Sequence, residues 1–170
     1  KGPDVFIEAM RRAEQLAGRP LRGIMVGDGD DKPRYQARLE AIGMGERVKM
    51  RDAMPARDAF ALARTVVIPS RAESMPYIVL EAVAAGKPVI STKVGGIPEI
   101  LGPDFAGFVP PGDSEALAGA MAHAVTDPQW LPGAMPEMEG FRQNFSAQTM
   151  ADRMSSLYQE HVAGESGTVR

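Results

Sequence analysis

The sequence predicts an α/β fold, a parallel sheet covered by helices, and three observations carry that reading. Short β-type runs alternate with helix-periodic segments along the chain, the pattern that crossover connections between parallel strands produce. Glycine and proline punctuate the ends of segments, as at Gly18, Pro20, Gly86 and Pro110-Pro111-Gly112. A length of 170 residues with 44% hydrophobic content suffices for one ordinary packed core.

Residues 4 to 17 place Val5, Ile7, Ala9, Met10, Ala13, Leu16 and Ala17 at near-helical spacing, and Gly18 with Pro20 stops that helix. Leu21 to Val26 reads as a strand ending in the turn Gly27-Asp28-Gly29-Asp30. A helix over 33 to 42, a weak strand from Arg47 to Met50, a short helix over 56 to 63 and a strong strand from Thr65 to Pro69 follow. Helix 76 to 86 closes at Gly86, and then come strand Pro88 to Ser91, the Gly95-Gly96 turn and a short strand from Gly107 to Val109. Past the turn Pro110-Pro111-Gly112-Asp113, Ser114 caps a helix reaching Val125. Residues 127 to 145 read as loop, rich in Pro and Gly, with Trp130 an apolar lid on the core. A last helix over 146 to 162 collects Met150, Met154, Leu157 and Tyr158 on one face. The domain therefore runs from 1 to 163, and 164 to 170 is expected to be a disordered tail.

Composition narrows the function. A formal charge of -3 and a pI near 5.5 give no global attraction to nucleic acid, so an anionic ligand has to be held by local geometry. The absence of cysteine removes disulfides, thiolate metal sites and a cysteine nucleophile, and suits a reducing compartment. No apolar run approaches the roughly 20 residues that span a bilayer, and the charged start (Lys1, Asp4, Glu8, Arg11, Arg12) is unlike a signal peptide. The cytoplasm is the expected compartment, with a membrane-surface role left open for a larger enzyme.

Chemistry concentrates between Val66 and Glu99. A buried strand ends at Pro69-Ser70, and a loop carrying Glu73 and Ser74 leads to a helix N-terminus at the strand's carboxyl end, the edge where open α/β sheets bind ligands. Ser74 is a good cap residue and Pro76 suits a first helical turn; the free amides and dipole there favour a phosphate. Glu81 stands alone in the apolar run Tyr77 to Ala85, so half-burial is expected, with a cation, backbone amides or ribose hydroxyls to offset its desolvation. A solvent-facing stripe is the plainer reading of Glu81, as an exposed loop acid is of Glu73. Gly95-Gly96 reads first as a turn and second as a place where backbone approaches ligand.

In order, Pro69-Ser70, Glu73, Glu81-Ala82, Ala85-Gly86-Lys87-Pro88-Val89, Gly95-Gly96, Glu99 and Gly107 to Asp113 resemble the donor-site signature of family 4 retaining glycosyltransferases, with seven residues, Ser74 to Leu80, between its two glutamates. The likeness extends from Lys1-Gly2 to about Tyr158. It implies the C-terminal, donor-binding domain of a GT-B enzyme, with a Rossmann-like parallel sheet flanked on both faces by helices. The implied activity moves a sugar, of hexose type, from a nucleotide sugar to a glycan, lipid or small-molecule acceptor with retained anomeric configuration, as in cell-envelope or exopolysaccharide biosynthesis. Acceptor binding would belong to an N-terminal domain outside this sequence. The resemblance assigns Glu73 to the transferred sugar near its reaction centre and Glu81 to the ribose. Ser74, Met75 and Tyr77 offer amides to the sugar and diphosphate, with Gly95 and Gly96 beside them. Lys1 offsets leaving-group charge, so that neither metal nor further cofactor is implied.

The resemblance has departures. Met75 and Pro76 stand where small or aromatic residues, often with a glycine, are usual, and Pro76 brings no N–H. Asp52 replaces a common glycine after the third strand. In a sheet of order 3-2-1-4-5-6 the strand before Lys1 is central, so strands 21 to 26 and 65 to 69 are expected to flank it without pairing, the strand coming from residues outside this numbering or another chain. Two other classes compete: a nucleotide-binding module without catalysis, and a GT-B nucleotide-sugar epimerase. Asp28-Gly29-Asp30 is read as a turn rather than an Asp-x-Asp metal motif. Lys32 in the third glycine position argues against a dinucleotide fingerprint. His123 and His161 lack a nucleophile partner and read as surface residues, and the 11 methionines as core filler.

Overall fold

The computed structural model describes residues 1–165, which gather into two compact units, Lys1–Met135 and a second from Pro136 onward. In the first unit the chain runs α1 (Pro3–Ala17), β1 (Gly23–Val26), α2 (Lys32–Ala41), β2 (Val48–Arg51), α3 (Ala56–Ala61) and β3 (Val66–Ile68). It continues through α4 (Tyr77–Ala84), β4 (Val89–Thr92), α5 (Ile97–Leu101), β5 (Phe108–Val109), α6 (Ser114–Thr126) and α7 (Trp130–Ala134). Every strand pairing is parallel. β1 pairs with β2 in the register Gly23↔Val48, β3 with β4 in the register Val66↔Val89, and β4 with β5 in the register Ser91↔Phe108. Among the described residues β1 and β3 do not pair with each other, so the direct pairing that would have contradicted the expected strand order is not formed.

The core follows from helix periodicity. α1 buries Val5, Ile7, Ala9, Met10 and Ala13 and packs most extensively against α6, which buries Leu117, Ala118, Met121 and Ala122. Leu16, expected on the inner face, is exposed. All four residues of β4 are buried, as for a strand covered on both faces. Gly23 of β1 leaves room for Phe6 and Met10 of α1, whose atoms would lie 3.1 and 3.3 Å from an added Cβ.

Four local expectations change. The cap of α6 is Asp113, whose carboxylate accepts from the Ala116 amide at 2.8 Å, and Ser114 is the first helical residue. The Gly95-Gly96 turn feeds a short helix, α5, for which Pro98 supplies a first-turn proline. The expected loop 127 to 145 contains α7 and, in the second unit, α8 (Met138–Phe145). Pro and Gly inside these short segments disguise them, since proline in a first turn removes no helical hydrogen bond. Trp130 is half-buried and stacks on His123, ring centroids 4.2 Å apart.

The second unit pairs α8 with α9 (Ala147–Glu165). Ser146 separates them and caps α9, its Oγ accepting from the Thr149 amide at 3.1 Å. Met150, Met154, Leu157 and Tyr158 are all exposed. The tail was expected from Gly164, but α9 continues through Gly164 and Glu165, and residues 166–170 lie outside the described residues.

Candidate functional site

Two crossover loops leave the carboxyl ends of neighbouring parallel strands, residues 69–76 after β3 and 93–96 after β4. They are fastened together. The Gly96 amide donates to the Ser74 carbonyl at 3.1 Å, and Thr92 Oγ1 donates to the Ser70 carbonyl at 2.6 Å. Approach is close enough that a Cβ on Gly95 would stand 1.6 Å from the Glu73 carbonyl oxygen, and one on Gly96 would stand 2.7 Å from that of Ser74. Gly95 also has φ +52°, where L side chains are strained. The start of α1 meets the same edge. Gly2, with φ +81°, would place a Cβ 2.1 Å from the Pro69 carbonyl oxygen, so Gly2 alone lets this terminus approach β3. Arg71 then clamps Asp4 in α1's first turn bidentately, at 3.0 and 2.6 Å.

Glu73 lies at the centre of this convergence, its side chain 8% exposed. The Lys1 ammonium and the Ser70 hydroxyl both donate to Oε1, Ser70 at 2.6 Å. Burial is the largest single influence on the carboxyl and disfavours its charge. Lys1 and Ser70 together outweigh burial and hold the carboxyl below its ordinary range. Oε2 accepts no hydrogen bond among the described residues, yet it is not sealed from solvent. The result is an ionised carboxylate with one oxygen gripped and the other open. Lys1, which the resemblance assigns to a diphosphate, therefore faces Glu73 here.

The remaining expected residues divide. Ser74, Met75, Tyr77 and Gly95 are exposed along the same rim, Met75 at 46% and Tyr77 at 72%, and Gly96 is buried beneath it. Ser74 does not cap α4: buried Pro76 holds the N-cap position without a side-chain bond. The Tyr77 amide turns back to the Met75 carbonyl at 3.1 Å, so this donor is engaged within the loop. Glu81 is exposed and its carboxylate has no hydrogen bond or ion pair among the described residues, which corrects the expected half-burial. α4 buries Val79, Ala82 and Val83 and turns position 81 to the outside, so no desolvation cost arises there. Ser70 and Thr92 carry no role in the sequence reading. For Ser70 the signals were its place in the signature and its three-residue spacing from Glu73 within one loop, and Thr92 had none.

A second cluster joins the loops after β1 and β2. Lys32 pairs with Asp28 and Asp52, and Asp28 accepts from the Ala53 amide at 3.0 Å. Asp28 thus ties two loops together as a turn residue. Among the described residues no group of three or more His, Cys, Asp or Glu side chains is arranged to hold a metal ion. An open hollow of about 450 Å³ between α2 and β2, lined by Gln36, Glu40, Glu46 and Lys49, lies outside the Glu73 convergence.

Comparison with known proteins places this arrangement. The fold is that of one half of a GT-B glycosyltransferase: it superposes on the Anabaena protein Alr3699/HepE, solved with UDP and glucose, with a TM-score of 0.80 and 24% identity, over 94% of this chain and 45% of that one. It also matches the C-terminal domain of LpcC, a group 1 family glycosyl transferase from Francisella tularensis, with a TM-score of 0.69 and 21% identity, over 87% of this chain and 80% of that domain. The sequence pattern of the family described as glycosyl transferases group 1 matches residues 1–127, and the chain belongs to this family. A D-inositol 3-phosphate glycosyltransferase of Corynebacterium glutamicum is 31% identical over 97% of this chain, which spans 42% of that relative's length.

Proposed function

We propose that this chain is the donor-binding domain of a retaining glycosyltransferase that moves a hexose from a nucleotide sugar to a glycan, lipid or small-molecule acceptor held by a second domain. The observation that carries the reading is the Glu73 carboxylate at the carboxyl edge of β3, kept ionised and open on one side only. Positive charge develops at the anomeric carbon as the bond to the diphosphate breaks. A fixed carboxylate whose charge is already established lowers the energy of that state without reorganising. Lys1 has three N–H donors, enough to keep Glu73 while meeting a diphosphate oxygen, and so to offset leaving-group charge without a metal. Glu81, exposed on α4, is free to accept the two ribose hydroxyls. The UDP and glucose held by the Anabaena protein, and the glycosyltransferase name of the Corynebacterium relative, support a nucleotide-sugar donor. No helix of the described residues is long and apolar enough to cross a membrane.

Kinetics of the full-length enzyme separate the two glutamates. Glu73→Gln lowers kcat about ten- to a hundredfold, the worth of one charge-assisted hydrogen bond, and leaves nucleoside diphosphate affinity nearly unchanged. Glu81→Ala weakens the diphosphate and the nucleotide sugar alike, which calorimetry reads directly. A Glu73→Gln enzyme with undiminished turnover would remove the proposed role of Glu73.

A further inference from the structure

Ser70, Ser91 and Thr92 are the buried polar residues among those described, each 1% exposed, and all three sit where β3 and β4 end. Alanine or valine would fill these positions without needing a hydrogen-bond partner, so the hydroxyls require an explanation. Ser91 bonds only main-chain carbonyls, those of Ile68 and Thr92, both at 3.3 Å. Ser70 differs. Its single donor goes to Oε1 of Glu73 at 2.6 Å, within the range of charge-assisted bonds, while Thr92 holds its carbonyl at the same length. The other partner of Oε1, Lys1, has a side chain 72% exposed, whereas Ser70 is buried, so packing holds the serine and not the lysine in place.

We propose that Ser70 is a positioning residue for this site: its hydroxyl fixes the Glu73 carboxylate by Oε1 so that Oε2 faces the transferred sugar, and Thr92 fixes Ser70. Lys1 supplies charge and Ser70 supplies direction. This inference rests on the role given to Glu73 above. Its test reads the carboxyl itself, by ¹³C NMR titration of the glutamate side chains in the chain, in Ser70→Ala and in Ser70→Thr. In Ser70→Ala the Glu73 carboxyl becomes a roughly tenfold weaker acid, through loss of one charge-assisted bond, and Ser70→Thr restores it. A Glu73 titration unchanged in Ser70→Ala, or not restored by threonine, overturns the proposal. If Ser70→Ala does not fold, Ser70→Cys, close in volume and a weak donor, is read against the same two outcomes. Undiminished turnover in Glu73→Gln would instead refute the proposed role of Glu73 and leave the NMR result standing, so the two failures are separable.

Discussion

At the scale of single residues, close approach decides what each position tolerates. Gly95 combines φ +52° with a Cβ position 1.6 Å from a backbone oxygen that cannot rotate away. Gly95→Ala therefore costs about 2 kcal/mol or more, from left-handed strain plus displacement of the Glu73 loop, and urea denaturation measures it. An alanine variant as stable as the parent would show that the two loops can part without loss. Asp4 gives a pH dependence. Arg71's hydrogen bonds, the largest influence, hold its carboxyl below the ordinary aspartate range. Because the folded value lies below the unfolded one, the stabilisation is complete above the unfolded value and is lost as pH falls through the folded value. Asp4→Asn should thus lower stability near neutral pH and have little effect in strong acid. The pair is partly exposed, so the difference is modest and shrinks with salt.

At the scale of elements, caps and crossovers matter more than intrinsic propensity. α6 lines the core against α1, and Asp113 satisfies one of its first amides. Asp113→Ala is expected to cost about 1 kcal/mol, whereas Ser114→Ala, inside the first turn, should be nearly neutral. Paired thermal denaturation of the two variants checks this, and a larger loss at Ser114 would return the cap to that residue. The sequence placed α1, α2, α3, α4, α6 and α9 within three residues of their bounds, most plainly α1, whose apolar stripe Val5, Ile7, Ala9, Met10 and Ala13 ends at Gly18. By contrast, α5, α7 and α8 read as turn or loop because Pro98, Pro132 and Gly140 inside these short helices look like breakers.

At the scale of the whole molecule, the chain spans less than half the length of the Corynebacterium relative and of the Anabaena protein, while the rim after β3 and β4 is assembled within it. The chain by itself is therefore expected to bind a nucleoside diphosphate weakly and to transfer no sugar. Thermal shifts with UDP, GDP and ADP, then with their sugar conjugates, measure the first half, and product analysis with an added acceptor measures the second. Transfer by the chain alone would place the acceptor site, too, within these residues.

The sequence by itself determined the α/β class, the parallel sense of the strands and the edge at which chemistry gathers, because alternation and hydrophobic period are local and a strand's carboxyl end follows from its direction. Its resemblance to the family's donor-site signature also singled out Glu73 and Glu81. Only the tertiary structure decided that the Glu73 side chain is largely covered and paired while Glu81 is exposed, since the first depends on the loops and α1 terminus that meet around it and the second on which face of α4 meets the core. The contacts that hold Glu73 join residues 72 and 3 apart, and Ser70 is tied to Thr92 across 22 residues. The two distant pairs, Lys1 with Glu73 and Thr92 with Ser70, meet only when the fold brings the start of α1 and the ends of β3 and β4 to one edge, and nothing in local composition records that meeting.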